Sequence, residues 1–429
     1  MTRRLADVAD VLMGQSPTGE TCNETGVGLP LLNGPTEFGP HHPSPTQYTT
    51  DPRKVASQGD LLFCVRGSTT GRMNWSDRRY AIGRGVAALR HRSGQDFQPW
   101  LRGVVEWSLP DLLTAATGST FPNVSGEQLR SLPIPNHDLR SQQAIAATLG
   151  ALDDKIALNR RTCATLEAMA RALFRSWFVD FDPVHAKAAG EAPAHMDPAT
   201  AALFPDRFGE DGLPEGWRMA PIGRHCTVRK GLSYKGDGLC GAGEGMPLHN
   251  LNSILEGGGY KFDGMKYYHG EYRSRHKVHP GDLIVANTEQ GFDELLIGHA
   301  ALVPRCFGPV GLFSHHIYSL EPKQGSPLSR EWYFLALSCT WIGERVRAFS
   351  NGTTVNMLPG DAFEIPEIPI PPHSVVDALN DRVRPSFEQH EQLMEENRTL
   401  ATLRDTLLPK LMSGELRVRE AEARVGEVA

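Results

Sequence analysis

The stretch NGTTVNMLPGDAFEIPEIPIPP, from Asn351 to Pro372, has a twin far upstream in TGSTFPNVSGEQLRSLPIP, from Thr117 to Pro135. Each runs from Gly and Thr through an Asn and an acidic residue to a proline-flanked apolar exit. A long helical pattern follows each. Further fragments repeat in step. LPLLNG (29–34) resembles MPLHNL (246–251), and GDLLFCVRGSTTG (59–71) resembles GDLIVANTEQGFD (281–293). YAIGRGVAAL (80–89) is paired with LLIGHAALV (295–303), and RTCATLEAMARALF (161–174) with RTLATLRDTLLPKL (398–411). Matches kept in one order mark an internal duplication. Short β-rich runs between Gly, Pro and Asn punctuation make each large module mainly β. Helices are expected within it at PWLRGVVEWSL and SREWYFLALSCTWIGERVRAF.

The two helical patterns are the firmest structural signal. Ile145, Leu149, Leu152, Ile156, Asn159, Cys163, Leu166, Ala170, Leu173 and Trp177 follow one another in alternating steps of four and three, an unbroken heptad seam. Val376, Leu379, Val383, Leu393, Leu400, Leu403, Leu407 and Leu411 keep a looser version. Asp138 is placed to cap the first helix and Ser374 the second. Pro409 is expected to kink or end the second helix, and Gly414 to stop it. Asn159 on the seam fits a residue that sets register. The fold class expected is α+β: two homologous α/β recognition domains separated by two long helices that pair as an antiparallel coiled coil. The boundaries read as module 1–137, helix 138–180, an Ala/Pro/Gly-rich linker 181–212, module 213–372, helix 373–416 and tail 417–429.

Bulk properties limit the function. The chain has 429 residues and a net charge of −6. Residues 1–137 hold 13 basic and 12 acidic side chains, and residues 213–372 hold 15 and 16. Both large modules are near neutral, so a strong unaided electrostatic grip on DNA is not expected. Seven cysteines without a CxxC pair read as reduced thiols. No apolar run has the length of a membrane span and no signal peptide is legible, so a cytoplasmic protein is expected.

Catalytic motifs are missing. The chain has no P-loop, no GxSxG elbow and no (N/D)PP(Y/F) tetrapeptide. The histidines of the second module show no metal-ligand spacing, and His315 and His316, read as neighbours in a strand, point to opposite faces. No catalytic or metal-binding residue is therefore expected. Polar loops are the better candidates. Arg66, Ser68, Thr69, Arg72 and Asn74 follow a strand in the first module, and Asn287, Thr288 and Gln290 in the second. Arg, Asn and Gln can bond guanine and adenine edges bidentately, whereas Ser and Thr suit phosphates. Ser119, Thr120 and Asn123 from one copy of the repeated phrase join the set, with Thr353, Thr354 and Asn356 from the other, and Asn250. Each of these also fits an ordinary turn.

The order of module, helix, linker, module and helix resembles the specificity subunit of type I restriction–modification systems. LFRSWFVDFDPV (173–184) looks like the end of that family's central conserved region. LFPDRF (203–208) and LPEGW (213–217) look like its linker and the entry to its second module, and LRDTLLPKLMSGEL (403–416) looks like its distal conserved region. The first module lacks an LPEGW-like lead. The resemblance implies a non-catalytic subunit that reads a bipartite sequence in double-stranded DNA, one half-site per module, with no cofactor of its own. It implies two modification subunits as partners, which bind S-adenosylmethionine and methylate the N6 of adenine, and restriction subunits in the larger ATP-dependent complex. Leu158, Met169, Phe174 and Phe178 lie off the seam and are candidates for docking the modification subunits. A self-contained methyltransferase or nuclease, and a coiled-coil scaffold without DNA binding, are the competing readings.

Overall fold

The computed structural model describes residues 3–39, 41–116, 122–290, 294–352 and 355–426, the side chains of Gln290 and Thr340 excepted. Ser119, Thr120, Thr353 and Thr354 lie outside the described residues. The chain divides into two units, Met1–Arg160 with Glu396–Ala429, and Arg161–Glu395.

In the first unit an antiparallel sheet has the strand order Ala9–Met13, Val86–His91, Leu61–Cys64, Met73–Trp75. A second sheet has the order Cys22–Asn23, Gln47–Thr49, Leu29–Leu32, Tyr80–Ile82, Val55–Ala56. Its one parallel pairing joins Leu29–Leu32 to Tyr80–Ile82. The central run LLFC is buried on both faces. Leu61 and Phe63 pack with Trp100 and Leu101 of the helix Gln98–Thr114, while Leu62 packs with Tyr80 and Ile82 in a separate core. That explains why this strand is continuously apolar rather than alternating.

The second unit repeats this plan. Its antiparallel sheet runs Cys226–Lys230, Ile317–Pro322, Leu283–Ala286, Ala300–Leu302. Its other sheet runs Leu239–Cys240, Lys266–Tyr268, Met246–His249, Gly311–Phe313, Lys277–Val278, again with one parallel pair, Met246–His249 beside Gly311–Phe313. The helix Arg330–Ser338 starts on Ser329, whose side chain accepts from the Trp332 N–H. The topology corrects one fragment match. Tyr80–Ile82 and Val86–His91 correspond to Gly311–Phe313 and Ile317–Pro322, so the twin of YAIGRGVAAL is GLFSHHIYSL (311–320) and not LLIGHAALV. The shared Ile-Gly misleads because strand identity is carried by pairing partners, not by one dipeptide.

The long helices are Leu139–Phe178 and His373–Ser413. Asp138 caps the first, accepting from the Ser141 N–H at 2.8 Å. Ser374 does not cap the second, because it lies inside the first turn. The second helix also continues past Pro409, whose exposed position makes the missing N–H tolerable, and ends where Gly414 takes φ +76°. Pairing is antiparallel in both units. In the first, Arg404 reaches Asp153 at 2.8 Å and Asn159 Nδ2 donates to Glu396 at 2.9 Å and Asn397 at 3.1 Å. In the second, His390 meets Glu167 at 3.1 Å. Ile145, Leu149, Leu152, Ile156, Leu400 and Leu407 are buried on the seam, and Leu166, Leu173, Leu393 and Leu403 are half-buried.

The segment between helix and second module is less of a free linker than its composition suggests. It forms helices at Asp182–Ala188 and Pro198–Ala201. Phe204 lies 5.2 Å from Trp177, Phe178 5.7 Å from Trp217, and Phe174 5.4 Å from Trp332, ring centre to ring centre. These rings belong to one buried core. Arg382 of the second long helix also pairs with Asp197 at 2.6 Å.

Two outcomes follow for stability. Asn159→Leu strands the Asn397 carbonyl and costs about 1–3 kcal/mol; replacing both Asn159 and Asn397 by Leu recovers that loss, read by chemical denaturation. His249 is fully buried, 2.6 Å from the Tyr260 hydroxyl, and burial lowers its pKa to about 4. Its unfolded pKa is about 6.5. Between these values only the unfolded chain takes the proton, so this stability is complete above about pH 6.5 and is lost toward about pH 4. The loss is on the order of 3 kcal/mol. In His249→Gln the acid-dependent fall in midpoint shrinks.

Candidate nucleic-acid interface

In each module one edge gathers four segments that are distant in sequence. The first is a glycine-bounded loop: GQSPTG (14–19) and its counterpart GLSYKG (231–236). Gly14 and Gly231 are required there. A Cβ on Gly14 would sit 2.1 Å from the Gly83 carbonyl oxygen, and one on Gly231 would sit 2.1 Å from that of Ser314. The second segment is the turn 83–85 or 314–316. The third is the polar loop after the central strand, and the fourth is the repeated phrase itself.

Main-chain hydrogen bonds join these segments in the same pattern twice. Val65 N–H donates to Gly85 C=O at 2.9 Å and Val124 N–H to Val65 C=O at 2.9 Å. In the second module Asn287 N–H donates to His316 C=O at 3.1 Å and Leu358 N–H to Asn287 C=O at 2.8 Å. Val124 and Leu358, both within the repeated phrase, therefore lie beside the polar loop in their modules. Register then separates the two asparagines. Arg66 bridges to Asn123, and Thr288 pairs with Met357, so Asn123 corresponds to Met357 and not to Asn356. One residue of shift turns a side chain to the other face. Asn123 is exposed and Asn356 is buried.

The individual candidates sort by burial. Arg66, Ser68, Arg72 and Asn123 are exposed and Thr69 is half-buried; Arg72 also donates to the Pro35 and Phe38 carbonyls at 3.5 and 3.4 Å. Asn74 is buried and its Nδ2 donates to the Gly39 carbonyl at 2.7 Å. Asn250 is buried, capping a turn by accepting from the Asn252 N–H at 3.0 Å. Asn287 is buried with Nδ2 donating to the His315 carbonyl at 3.0 Å, and Thr288 Oγ1 lies 3.1 Å from His316 Nδ1. These four hold the loops in place. Gln290 ends the strand Thr288–Gln290, which pairs with Val355–Met357. His315 and His316 are not in a strand but in a turn, so their rings lie together, centroids 3.9 Å apart, and both are exposed.

Several residues of this edge have no clear mark in the sequence. In the first module Asn33 Nδ2 donates to Gln47 at 3.0 Å, and exposed Arg84 donates its N–H to Ser16 Oγ at 3.2 Å. In the second, Lys266 Nζ donates to the Tyr234 hydroxyl at 3.2 Å and lies over its ring, 5.7 Å from the centroid. Burial, then His315 and Lys266, lowers the pKa of His316. The shared G-x-S-x-x-G spacing of 14–19 and 231–236 marks the loop, but not the pairing that brings Asn33, Arg84 and Lys266 to it. Cationic, amide and aromatic groups of this kind can bond phosphates and base edges. No cluster of three or more His, Cys, Asp or Glu among the described residues could hold a metal ion.

The description "Type I restriction modification DNA specificity domain" matches residues 1–168. The HindI specificity subunit of a type I restriction enzyme from Haemophilus influenzae is 26% identical over 357 residues, 71% of this chain and 73% of that one. The MjaIX specificity subunit from Methanocaldococcus jannaschii is 25% identical over 306 residues, 71% of this chain and 65% of that one. The crystal structure of a type I S subunit from M. genitalium shares the fold, with TM-score 0.56, 16% identity and 96% of each chain covered. Residues 1–168 thus match the type I specificity domain, and most of the chain is similar to type I specificity subunits. These likenesses support a role in DNA recognition, without catalysis. Neither a self-contained enzyme nor a scaffold without DNA binding gains support from these likenesses. None of the helices among the described residues is long and apolar enough to cross a membrane.

Two of the expected docking residues are corrected. Phe174 and Phe178 are buried in the aromatic core of the second unit, because the end of the first long helix packs against the second module there. Leu158 and Met169 are exposed at 51% and 61%. The tight glycine gives a direct test of the edge. Gly14→Ala loses about 1–3 kcal/mol by overpacking; Gly19→Ala, whose Cβ meets nothing within 4 Å, stays within about 0.5 kcal/mol of the parent. Thermal or denaturant unfolding compares the two.

Proposed function

We propose that this chain is a specificity subunit that reads a bipartite DNA sequence, one half-site with the edge of each module, and that the paired helices set the gap between the halves. The observation that carries this reading is the duplicated edge. One main-chain frame appears twice, carrying Arg66, Arg84 and Asn123 in the first copy and Tyr234, Lys266 and His315 in the second. Equal geometry with unlike side chains suits two different half-sites. The first long helix, with 40 residues, is about 60 Å long at 1.5 Å per residue, a length comparable to one or two turns of DNA.

The proposal includes partners. Two modification subunits bind S-adenosylmethionine, flip an adenine from the duplex and methylate its N6. Leu158 and Met169 are the residues offered for docking them, and restriction subunits complete the larger complex. The near-neutral modules fit this arrangement, since partners that close around the duplex can supply phosphate contacts. The chain itself carries no cofactor in this reading.

The test uses the complex with its modification subunits. Methylated adenines are mapped by single-molecule sequencing for the parent, for Arg66→Ala with Arg84→Ala, and for Tyr234→Ala with Lys266→Ala. The first pair relaxes one half-site only and the second pair the other. Removing a side chain that binds a phosphate lowers the salt slope of DNA binding by about one. A continuous methylated sequence, or equal damage to both halves by each pair, overturns the reading.

A further inference from the structure

The strand Val355–Met357 contains two exposed apolar side chains, Val355 at 48% and Met357 at 51%, on either side of buried Asn356. Alternation along the strand puts both on one face. Their backbone is firmly held. Met357 pairs with Thr288 across the ribbon, and it exchanges main-chain hydrogen bonds with Asn351 at 3.0 and 2.8 Å on the other side. Thr288 in turn touches His316, so this face continues the recognition edge of the second module. At the place where the second module exposes Met357, the first exposes Asn123 beside Arg66. Among the described residues the first module has a single bridge there; the second has a two-stranded ribbon.

A two-stranded ribbon fits the major groove, and the thymine 5-methyl is the one apolar group that a base pair presents there. Asn and Arg read the edges of adenine and guanine by hydrogen bonds, which Met and Val cannot do. We infer that Val355 and Met357 form an apolar reading edge for thymine methyl groups, and that the second half-site is discriminated by methyl contact where the first is discriminated by hydrogen bonding. This rests on the reading of one half-site per module. It adds the chemical class of the contact and the residues that make it.

The experiment uses the complex with its modification subunits and duplexes carrying its mapped methylation sequence. Deoxyuridine replaces thymidine throughout one half-site at a time, which removes only methyl groups. For the parent, substitution in the second half-site lowers methylation rate at limiting DNA by about fourfold per methyl group touched; substitution in the first has no effect. Met357→Ala and Met357→Gln, both at an exposed position, lower the rate on thymidine DNA and lose the response to deoxyuridine. Equal rates on thymidine and deoxyuridine duplexes, or a response that persists unchanged in both variants, overturn the inference while the bipartite reading stands. A parent complex that methylates no bipartite sequence removes that reading and this inference together.

Discussion

The duplicated edge of each module depends on main-chain hydrogen bonds that join the polar loop to two other segments. Val65 is tied to Gly85 and Val124 in the first module, and Asn287 to His316 and Leu358 in the second. Backbone donors and acceptors that satisfy one another, with buried side chains such as Asn287 bracing the turn, leave the loop's shape largely independent of its exposed side chains. The side chains at the edge can then differ without loss of the frame. This is the physical condition under which a duplicated module can come to read a different sequence. The condition also has a steric side, because Gly14 and Gly231 admit no Cβ against the neighbouring turn.

The long helices obey a different constraint. Within each unit a seam of Leu and Ile must find a partner, and an antiparallel helix supplies it. Polar residues on that seam are matched to one another, as Asn159 is to Asn397. Toward its end the first helix turns to a second task. Trp177, the last seam position, and Phe174 and Phe178, off the seam, enter an aromatic core with Phe204, Trp217 and Trp332. The segments that most resemble the family, LFRSWF, LFPDRF and LPEGW, meet in that core. Their resemblance thus reflects packing of helix, connecting segment and module in the second unit, rather than a surface offered to a partner.

Much of the architecture could be read from the chain because it rests on local periodicity. The heptad steps from Ile145 to Trp177, the cap at Asp138 and the stop at Gly414 depend on neighbours a few residues away. The candidate site was legible only in part. Arg66, Ser68 and Asn123 are exposed as their polar character implies, but Asn74, Asn250, Asn287 and Thr288 are equally polar and are buried to hold turns. Asn and Thr serve both ends, since their side chains can replace a backbone partner as readily as they can bond a ligand. Lys266 and Tyr234 carry no such local signal, because they lie on separate segments that pairing alone brings together.

The amino-acid sequence by itself determined that the chain is a duplication, that each copy is a β-rich module followed by a long amphipathic helix, and that the helices need a partner. These follow from repeated order and from the spacing of apolar residues. Tertiary structure alone decided which strands are equivalent, that Asn123 matches Met357 rather than Asn356, and that His315 and His316 share a turn. Those facts depend on register and on hydrogen bonds between residues far apart in the chain. A shift of one residue there reverses which face meets solvent.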